Sequence, residues 1–380
     1  MKQTYYTGLD THKDSMEIAY AREHSRENAV HYGSCSGSLL SLERALRKLA
    51  KQLGVPFKEL KVCYEAGPTG FTIARHFINL GLDVTVSAPT KSTRKPGEKV
   101  KTDKRDALKL AKEFRNGDVV AVRVPAAVDE AVRDVARART DATDDLSRAK
   151  QRLKSFLLRN GYNYSGKANW SQAHMRYLRD LKLQDPAQNI VLDEYLFAID
   201  AGIERVARLA EKLKELLENW EWKPVVEALM ALRGFQEVAA MTTIAELGDL
   251  RRFKNPRQLM AFLGLVPGEH SSGPKRRQGA ITKCGNSHAR WMLVECAQHY
   301  RKAPKLGPAL SRRQEGQSRE VKKLSARAQK RLHYRYIKLK ARRLPENKAL
   351  IAVARELSAF IWELMNKCHL PIPSTNVQPD

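Results

Sequence analysis

Four acidic residues stand at the ends of short apolar runs or at the start of a helix-like segment, where a sheet can gather ligands for a metal ion. They are Asp10, Glu65, Asp103 and Asp106. Because two carboxylates about 4 Å apart repel by roughly 4 kcal/mol at an effective dielectric constant near 20, a cluster of four requires a cation. Mg²⁺ accepts carboxylates, water and phosphate oxygens as ligands. We therefore predict a Mg²⁺ site for phosphodiester chemistry.

Each of these carboxylates also has an ordinary structural interpretation. Asp10 can cap a turn, and Glu65 can pair with Arg75. Asp103 can be the N-cap of the helix that follows it. The spacing of Asp103 and Asp106 favours the metal site, because residues three apart lie on one side of a helix.

A second candidate for chemistry is Ser272, in the segment Gly-Glu-His-Ser-Ser-Gly-Pro-Lys-Arg-Arg. A nucleophilic serine needs an exposed backbone and nearby positive charge to hold the attacked phosphate. Gly273 provides the first, and basic residues in and after the loop provide the second: Lys275, Arg276, Arg277, Lys283 and Arg290. Ser-Ser-Gly is common in loops, so this segment alone does not establish a nucleophile.

Hydrophobic patterning predicts two kinds of region around these residues. Residues 1–126 read as a hairpin followed by alternating strands and helices, which is typical of an α/β domain with a mixed sheet. Residues 127–222 carry two heptad seams, one from Val128 to Phe156 and one from Leu192 to Trp220. The seams predict an antiparallel hairpin, a dimerisation element or the core stripe of a bundle. The segment between them, residues 160–189, reads as a connector or an RNA-contacting loop.

Residues 223–350 form a predicted helical domain that contains the serine loop. Two short helices join at Gly234-Phe235, a turn that can present backbone amides to a phosphate or can be an ordinary corner. Further on, a basic helix carries interleaved tyrosines and predicts a nucleic-acid face, against the alternative of a merely solvated one. Its candidate contacts are Lys322, Lys323, Arg327, Lys330, Arg331 and Arg335. Residues 351–380 are expected to form a terminal helix and a disordered tail.

Charge supports a polyanionic partner. The 380 residues carry a net charge of +26, and residues 251–350 alone hold 26 Lys and Arg against five Glu. That concentration favours nucleic acid over an anionic membrane. Five cysteines without metal-binding spacing read as reduced thiols, and a zinc site is not expected. No apolar run reaches the length of a membrane span, so we expect a cytoplasmic protein with no membrane partner.

Several ordered motifs resemble the DEDD transposases of the insertion-sequence-110 family. They are Gly-Leu-Asp-Thr-His-Lys, Tyr-Glu-Ala-Gly-Pro-Thr-Gly, Lys-Thr-Asp-Lys-Arg-Asp-Ala, Phe-Leu-Gly-Leu-Val-Pro-Gly-Glu-His-Ser-Ser-Gly and Ile-Thr-Lys-Cys-Gly-Asn. The resemblance implies a RuvC-like (RNase H-fold) domain, a coiled-coil insertion and a C-terminal transposase domain. It also implies that the four acids are a metal-binding tetrad and that Ser272 is the nucleophile, with Ser271 the less favoured neighbour.

The same resemblance implies an RNA-guided recombinase. A noncoding bridge RNA pairs with donor and target double-stranded DNA, and strands exchange through a covalent phosphoserine and a Holliday junction. It implies an active site composite between protomers, in a homodimer that assembles to a tetramer. The alternative is a Mg²⁺-dependent nuclease of the Holliday-junction type that uses water instead of serine. A catalytically silent nucleic-acid-binding protein and an actin-like ATPase are less favoured, the latter for want of a glycine-rich phosphate loop.

Overall fold

The computed structural model describes residues 3–88, 102–166, 168–269 and 277–373. These residues divide into two units, with the boundary between Ala126 and Ala127. The tail predicted to be disordered lies outside the described residues from position 374 onward. Each unit has its own hydrophobic core.

The first unit is an α/β domain, as the alternating pattern predicts. Its elements are β1 (Tyr5–Thr11), β2 (Ser15–Arg22), β3 (Val30–Ser36), α1 (Leu39–Leu53), β4 (Leu60–Glu65), α2 (Thr72–Asn79), β5 (Asp83–Ser87), α3 (Asp103–Asn116) and β6 (Ala121–Val122). The strands of the described residues form one sheet in the order β3-β2-β1-β4-β5-β6. β1 pairs antiparallel with β2 and parallel with β4, so the sheet is mixed.

Helix α1 illustrates how local sequence sets these elements. Ser38 caps its first turn by accepting a hydrogen bond from the amide of Ser41. Leucines spaced at helical intervals are fully buried against the sheet: Leu42, Leu46 and Leu49. Gly54 then ends the helix with φ at +69°, a left-handed conformation that glycine adopts without steric cost.

The second unit is mostly helical. Its helices are α4 (Ala127–Arg159), α5 (Gln172–Asp180), α6 (Pro186–Glu218), α7 (Lys223–Met230), α8 (Glu237–Leu247), α9 (Pro256–Phe262), α10 (Ser287–Ala297), α11 (Pro308–Arg313), α12 (Arg319–Ala341) and α13 (Glu346–Lys367). Two short strands, β7 (Pro267–Glu269) and β8 (Gln278–Ile281), pair antiparallel. None of the described helices is long and apolar enough to span a membrane.

The two heptad seams pack against each other within one chain. α4 and α6 run antiparallel, because the start of α4 meets the end of α6 where the Trp220 indole donates to Asp129 at 2.9 Å. Near the other end, the Phe156 ring contacts the Tyr195 ring edge-on. The predicted antiparallel hairpin is therefore present, and seam residues Val132, Leu213 and Leu217 also belong to the core of the helical unit. The dimerisation element stays a prediction. Val128 was wrongly placed in the seam, since 64% of it is exposed.

The segment between the seams folds onto the end of this hairpin. α5 lies within it, and Leu178 and His174 are buried there. The Tyr164 ring packs on the rings of His174 and Tyr177. Aromatic residues that suggested an RNA-contacting loop thus serve packing, which favours the connector interpretation.

Candidate metal centre and nucleic-acid interface

The parallel pairing of β1 and β4 brings the ends of two acidic motifs to one edge of the sheet. Leu9 is in register with Tyr64. Asp10 and Glu65 each follow that pair by one residue, and parallel strands place their carboxyl ends at the same edge. Asp10 is half-buried and Glu65 is exposed. The loop after Glu65 also reaches β1, because the Thr11 and Thr69 hydroxyls lie 3.1 Å apart.

Helix α3 lies directly on β1 at Gly8, and this contact positions the other two acids. A Cβ atom on Gly8 would lie 2.4 Å from the Ala111 nitrogen and 2.7 Å from the Ala107 oxygen. Only glycine permits so close an approach of strand and helix backbones. Asp103 and Asp106 occupy the first turn of this helix, and both carboxylates lie near enough to Asp10 to act on it electrostatically.

The first turn of α3 also corrects one alternative. The N-cap is Thr102, whose hydroxyl accepts from the amide of Arg105, so Asp103 does not cap the helix. Its carboxylate is directed instead toward the end of β1. There Asp103 Oδ1 lies 3.6 Å from His12 Nε2, and the same nitrogen lies 3.4 Å from Asp10 Oδ2.

Asp10, His12 and Asp103 therefore form a cluster. One possible ligand atom from each lies within 4.8 Å of the others. Sequence reasoning did not assign His12 a role. The signal was the Asp10-x-His12 spacing, because residues two apart near the end of a strand face the same way. Imidazole and carboxylate together form a donor set for a divalent cation.

The electrostatics of Asp10 explain why a cation suits this position. Burial raises the pKa of Asp10 above its usual value, and the neighbouring Asp103 and Asp106 carboxylates raise it further, while His12 lowers it. Asp10 Oδ2 is buried, and the imidazole of His12 at 3.4 Å satisfies it only weakly. A buried, weakly satisfied carboxylate oxygen beside other acids is costly unless a cation compensates it.

The serine region is described only at its flanks. Ser271, Ser272, Lys275 and Arg276 lie outside the described residues. β7 and β8 on either side pair with each other, Pro267 with Ile281 and Glu269 with Gln278. The chain that follows β8 packs tightly on α9, because a Cβ on Gly285 would lie 1.9 Å from the Phe262 oxygen. The strands that flank Ser272 are thus anchored to the helical core.

A buried ionic network strengthens this anchor. Arg137 on α4 donates two hydrogen bonds, of 2.7 and 2.9 Å, to Glu246, whose side chain is fully buried. Asn286 donates to the same carboxylate at 2.6 Å and accepts from the amide of Ala289, so it also caps α10. Sequence reasoning missed Arg137 and Glu246, because a pair separated by 109 residues leaves no local pattern.

Comparison with known proteins agrees with this arrangement. The sequence profile of the DEDD transposases of the IS110 family matches residues 7–160, and that of the transposase IS116/IS110/IS902 family matches residues 226–309. A putative transposase of Sinorhizobium fredii, y4qE, is 40% identical over 94% of this chain and 88% of its own length. The chain belongs to the IS110 family of DEDD transposases.

Two further transposases are similar over different shares of their length. The transposase for insertion sequence element IS1533 of Leptospira borgpetersenii is 29% identical over 90% of this chain and 99% of its own. The transposase for element IS1111A of Coxiella burnetii is 29% identical over 37% of this chain and 33% of its own. A DEDD transposase domain implies that acidic residues bind a divalent metal, and the cluster around Asp10 fits that requirement.

The basic helix of this IS110-family transposase divides into two sets of side chains. Three arginines pair with acids of α13. Arg327 lies 2.5 Å from Glu363, and Arg331 and Arg335 lie 3.0 and 3.1 Å from Glu356. Three lysines are exposed and have no ion-pair partner in the part of the chain that the structure describes: Lys322, Lys323 and Lys330. The lysines thus present uncompensated charge, whereas the arginines join two helices.

The predicted contacts beside the serine loop also differ among themselves. Arg277 and Lys283 are exposed. Arg290 is half-buried, and its Nη1 donates to the carbonyl oxygens of Leu263 at 2.9 Å and Cys284 at 3.2 Å. Arg290 therefore holds the chain around β8 in place with one of its nitrogens.

Proposed function

We propose that this transposase is an RNA-guided DNA recombinase that mobilises its insertion sequence in the cytoplasm through a phosphoserine intermediate. The observation that carries the proposal is the cluster of Asp10, His12 and Asp103, with their ligand atoms within 4.8 Å of one another. Like charges gathered at the end of a strand reduce stability unless they serve a bound cation. A metal-dependent reaction at phosphate is the chemistry that such a cluster suits best.

In this proposal the metal is Mg²⁺, held by Asp10, Glu65, Asp103 and Asp106. When bound, Mg²⁺ supplies positive charge that polarises the scissile phosphate. The four carboxylates fix where that phosphate lies. The strand order places Asp10 on the central strand β1, next to β4, and this order supports a RuvC-like, RNase H-type fold for the first unit.

Ser272 is the proposed nucleophile, with Ser271 the less favoured neighbour. Its Oγ forms a bond to the scissile phosphorus, the bond from phosphorus to the 3′ oxygen breaks, and the serine proton passes through solvent to that oxygen. The resulting 3′-hydroxyl attacks the phosphoserine of another strand, which restores the serine hydroxyl. Because the covalent link conserves the phosphodiester bond energy, the exchange needs no nucleotide hydrolysis. The anchored strands β7 and β8 support this role by fixing where the serine segment leaves and re-enters the fold.

Basic residues are proposed to bind the backbones of DNA and of the bridge RNA. The principal contacts are Lys275, Arg276, Arg277, Lys283, Lys322, Lys323 and Lys330. Arg290, Arg327, Arg331 and Arg335 are secondary contacts, because hydrogen bonds or ion pairs within the chain already occupy part of their donors. Backbone contacts supply affinity but carry no sequence information. We propose that base pairing with the RNA selects donor and target sites. We further propose that homodimers assemble to a tetramer with active sites composite between protomers.

The decisive experiment is a search for a covalent protein–DNA adduct. Protein, bridge RNA, paired DNA sites and Mg²⁺ are incubated, and products are separated under denaturing conditions with and without protease. We expect an adduct with the unmodified chain and with Ser271→Ala, and none with Ser272→Ala. An adduct lost only in Ser271→Ala would move the nucleophile by one residue.

The same experiment separates the recombinase from a nuclease. A structure-selective nuclease that uses water would cleave the DNA in the presence of Mg²⁺ without forming an adduct, and Ser272→Ala would cleave as well as the unmodified chain. That result would refute the phosphoserine mechanism and would leave the metal site intact. Binding without any Mg²⁺-dependent cleavage would refute both.

A further inference from the structure

A cavity in the second unit collects basic side chains that none of the roles above uses. Its volume is about 330 Å³, and its lining includes Arg233, His299, Lys305 and Arg313. That volume lies at the lower end of the range of small-ligand sites. These residues come from the turn after α7, from the chain after α10 and from α11, so three separate segments contribute to one cavity.

Hydrogen bonds to the backbone hold the two arginines in place. Arg233 Nη1 donates to the carbonyl oxygens of Lys302 at 3.2 Å and Ala303 at 2.8 Å. Arg313 Nε donates to the carbonyl oxygen of Met230 at 2.9 Å. A guanidinium carries five N–H donors. Each side chain is therefore oriented by part of its donor set and retains other donors for a ligand.

The positive charge of the cavity belongs to Arg233, Lys305 and Arg313, and none of these three has an ion-pair partner among the described residues. Glu295 lies near His299, whose neutral form is favoured. Burial lowers the pKa of His299, and the nearby Arg233, Lys302 and Arg313 lower it further, while Glu295 opposes them. Burial likewise lowers the pKa of Arg313. Cations that repel one another in a fixed arrangement bind an anion favourably.

The wall of the cavity is set by a glycine that cannot be replaced without strain. Gly234 has φ at +95°, and a Cβ there would lie 2.5 Å from the Cys296 oxygen. The turn between α7 and α8 therefore sits directly on α10, the helix that leads to His299. The cations are consequently arranged before any ligand arrives, which lowers the entropic cost of binding.

We propose that this cavity binds a backbone phosphate of duplex DNA. Phosphate is the anion that guanidinium and ammonium groups recognise together, and transposases of this family act on DNA. The inference rests on the proposed function only in taking DNA as the ligand. It adds a phosphate contact separate from the exposed lysines of α12 and from the serine loop.

The test compares two exposed lysines of the second unit in the same chain. Lys305 lines the cavity, whereas Lys367, in the last turn of α13, does not. Affinity for a short DNA duplex is measured by fluorescence anisotropy over a series of salt concentrations. One lost phosphate contact should reduce the slope of log affinity against log salt by about 0.9 and the affinity at 0.15 M salt by about fivefold. We expect this result for Lys305→Ala and an unchanged slope for Lys367→Ala.

Each outcome bears on the inference separately from the proposed function. Equal slopes for Lys305→Ala and the unmodified chain would overturn the cavity as a DNA contact, and so would an effect confined to the bridge RNA. Adduct formation in the serine experiment would still stand in either case. Conversely, a reduced slope in Lys305→Ala together with no adduct from the unmodified chain would support the cavity and refute the phosphoserine mechanism.

Discussion

The carboxylates at the end of β1 and the arginines of α12 show two opposite ways of arranging charge. Asp10 is half-buried near two other acids, and among the described residues the polar contact to its Oδ2 is the long approach of His12 Nε2 at 3.4 Å. Arg331 and Arg335, by contrast, share Glu356 of the neighbouring helix. An ion pair is stabilised by its own partner, whereas a cluster of like charges lowers the stability of the fold unless an ion of opposite charge binds to it. Side chains whose charge has no opposite partner in the fold are therefore the best candidates for binding a metal ion or a phosphate.

The largest effect is expected from removing one charge of the acidic cluster. Asp10→Asn keeps the size of the side chain and removes its ability to bind a cation strongly. Loss of several kcal/mol of metal-dependent stabilisation should slow Mg²⁺-dependent DNA cleavage by about 10³-fold or more. Because burial and neighbouring acids raise the pKa of Asp10, its ionised form is disfavoured in the folded chain. The free energy of unfolding in metal-free buffer should therefore stay equal or rise.

A matched control lies on the same sheet. Asp83 is exposed at the start of β5 and pairs with Lys61 at 3.6 Å. Asp83→Asn should leave the cleavage rate within about twofold, because surface ion pairs contribute little. Calorimetric titration with Mg²⁺ should show binding to the control and weakened binding to Asp10→Asn. Equal cleavage by both variants would mean that the cluster does not serve catalysis.

Strand ends mark Asp10 and Glu65 in the sequence, and helical spacing marks Asp103 and Asp106. Of these four, Asp10 and Asp103 join His12 in the cluster, while a shared site for all four stays a prediction. The contact that brings Asp103 to Asp10 was out of reach, because nothing near Gly8 indicates that Ala107 and Ala111 lie on it. His12 was overlooked for a related reason: its proximity to Asp103 depends on tertiary packing.

For the basic helix, the sequence identified the element but did not distinguish the roles of its side chains. Helical spacing and charge identified α12 correctly, but they grouped the arginines with the lysines. Only the packing of α13 distinguishes them, because Glu356 and Glu363 lie more than 20 residues away in sequence. The heptads were ambiguous in the same way, since a seam specifies a partner helix but not whether that helix belongs to the same chain.

The second prediction tests this division of the basic helix. Replacing Lys322, Lys323 and Lys330 together by alanine should lower the affinity for duplex DNA by about 100-fold at 0.15 M salt and reduce the salt slope by nearly three. Replacing Arg327, Arg331 and Arg335 should change the slope less and should lower the free energy of unfolding more. Anisotropy and chemical denaturation measure the two effects. If both triple variants lose the same slope, the ion pairs of α12 do not hold its arginines away from DNA.

The smallest effect is expected from a substitution that leaves two paired arginines of α12 without their acidic partner. In Glu356→Gln the carboxylate that holds Arg331 and Arg335 becomes neutral, so both arginines become available to phosphate. If each arginine gains one phosphate contact, the affinity for duplex DNA should rise by about 30-fold at 0.15 M salt, with a salt slope steeper by about 1.8. Stability should fall by no more than about 1 kcal/mol, since both arginines remain partly exposed.

Glu315 is exposed and has no ion-pair partner in the described chain, so Glu315→Gln changes the net charge equally without releasing an arginine. A slope that rises equally in both variants would show that net charge alone governs binding, whereas a rise confined to Glu356→Gln would show that the pairing of α12 with α13 sets how much of its charge reaches DNA.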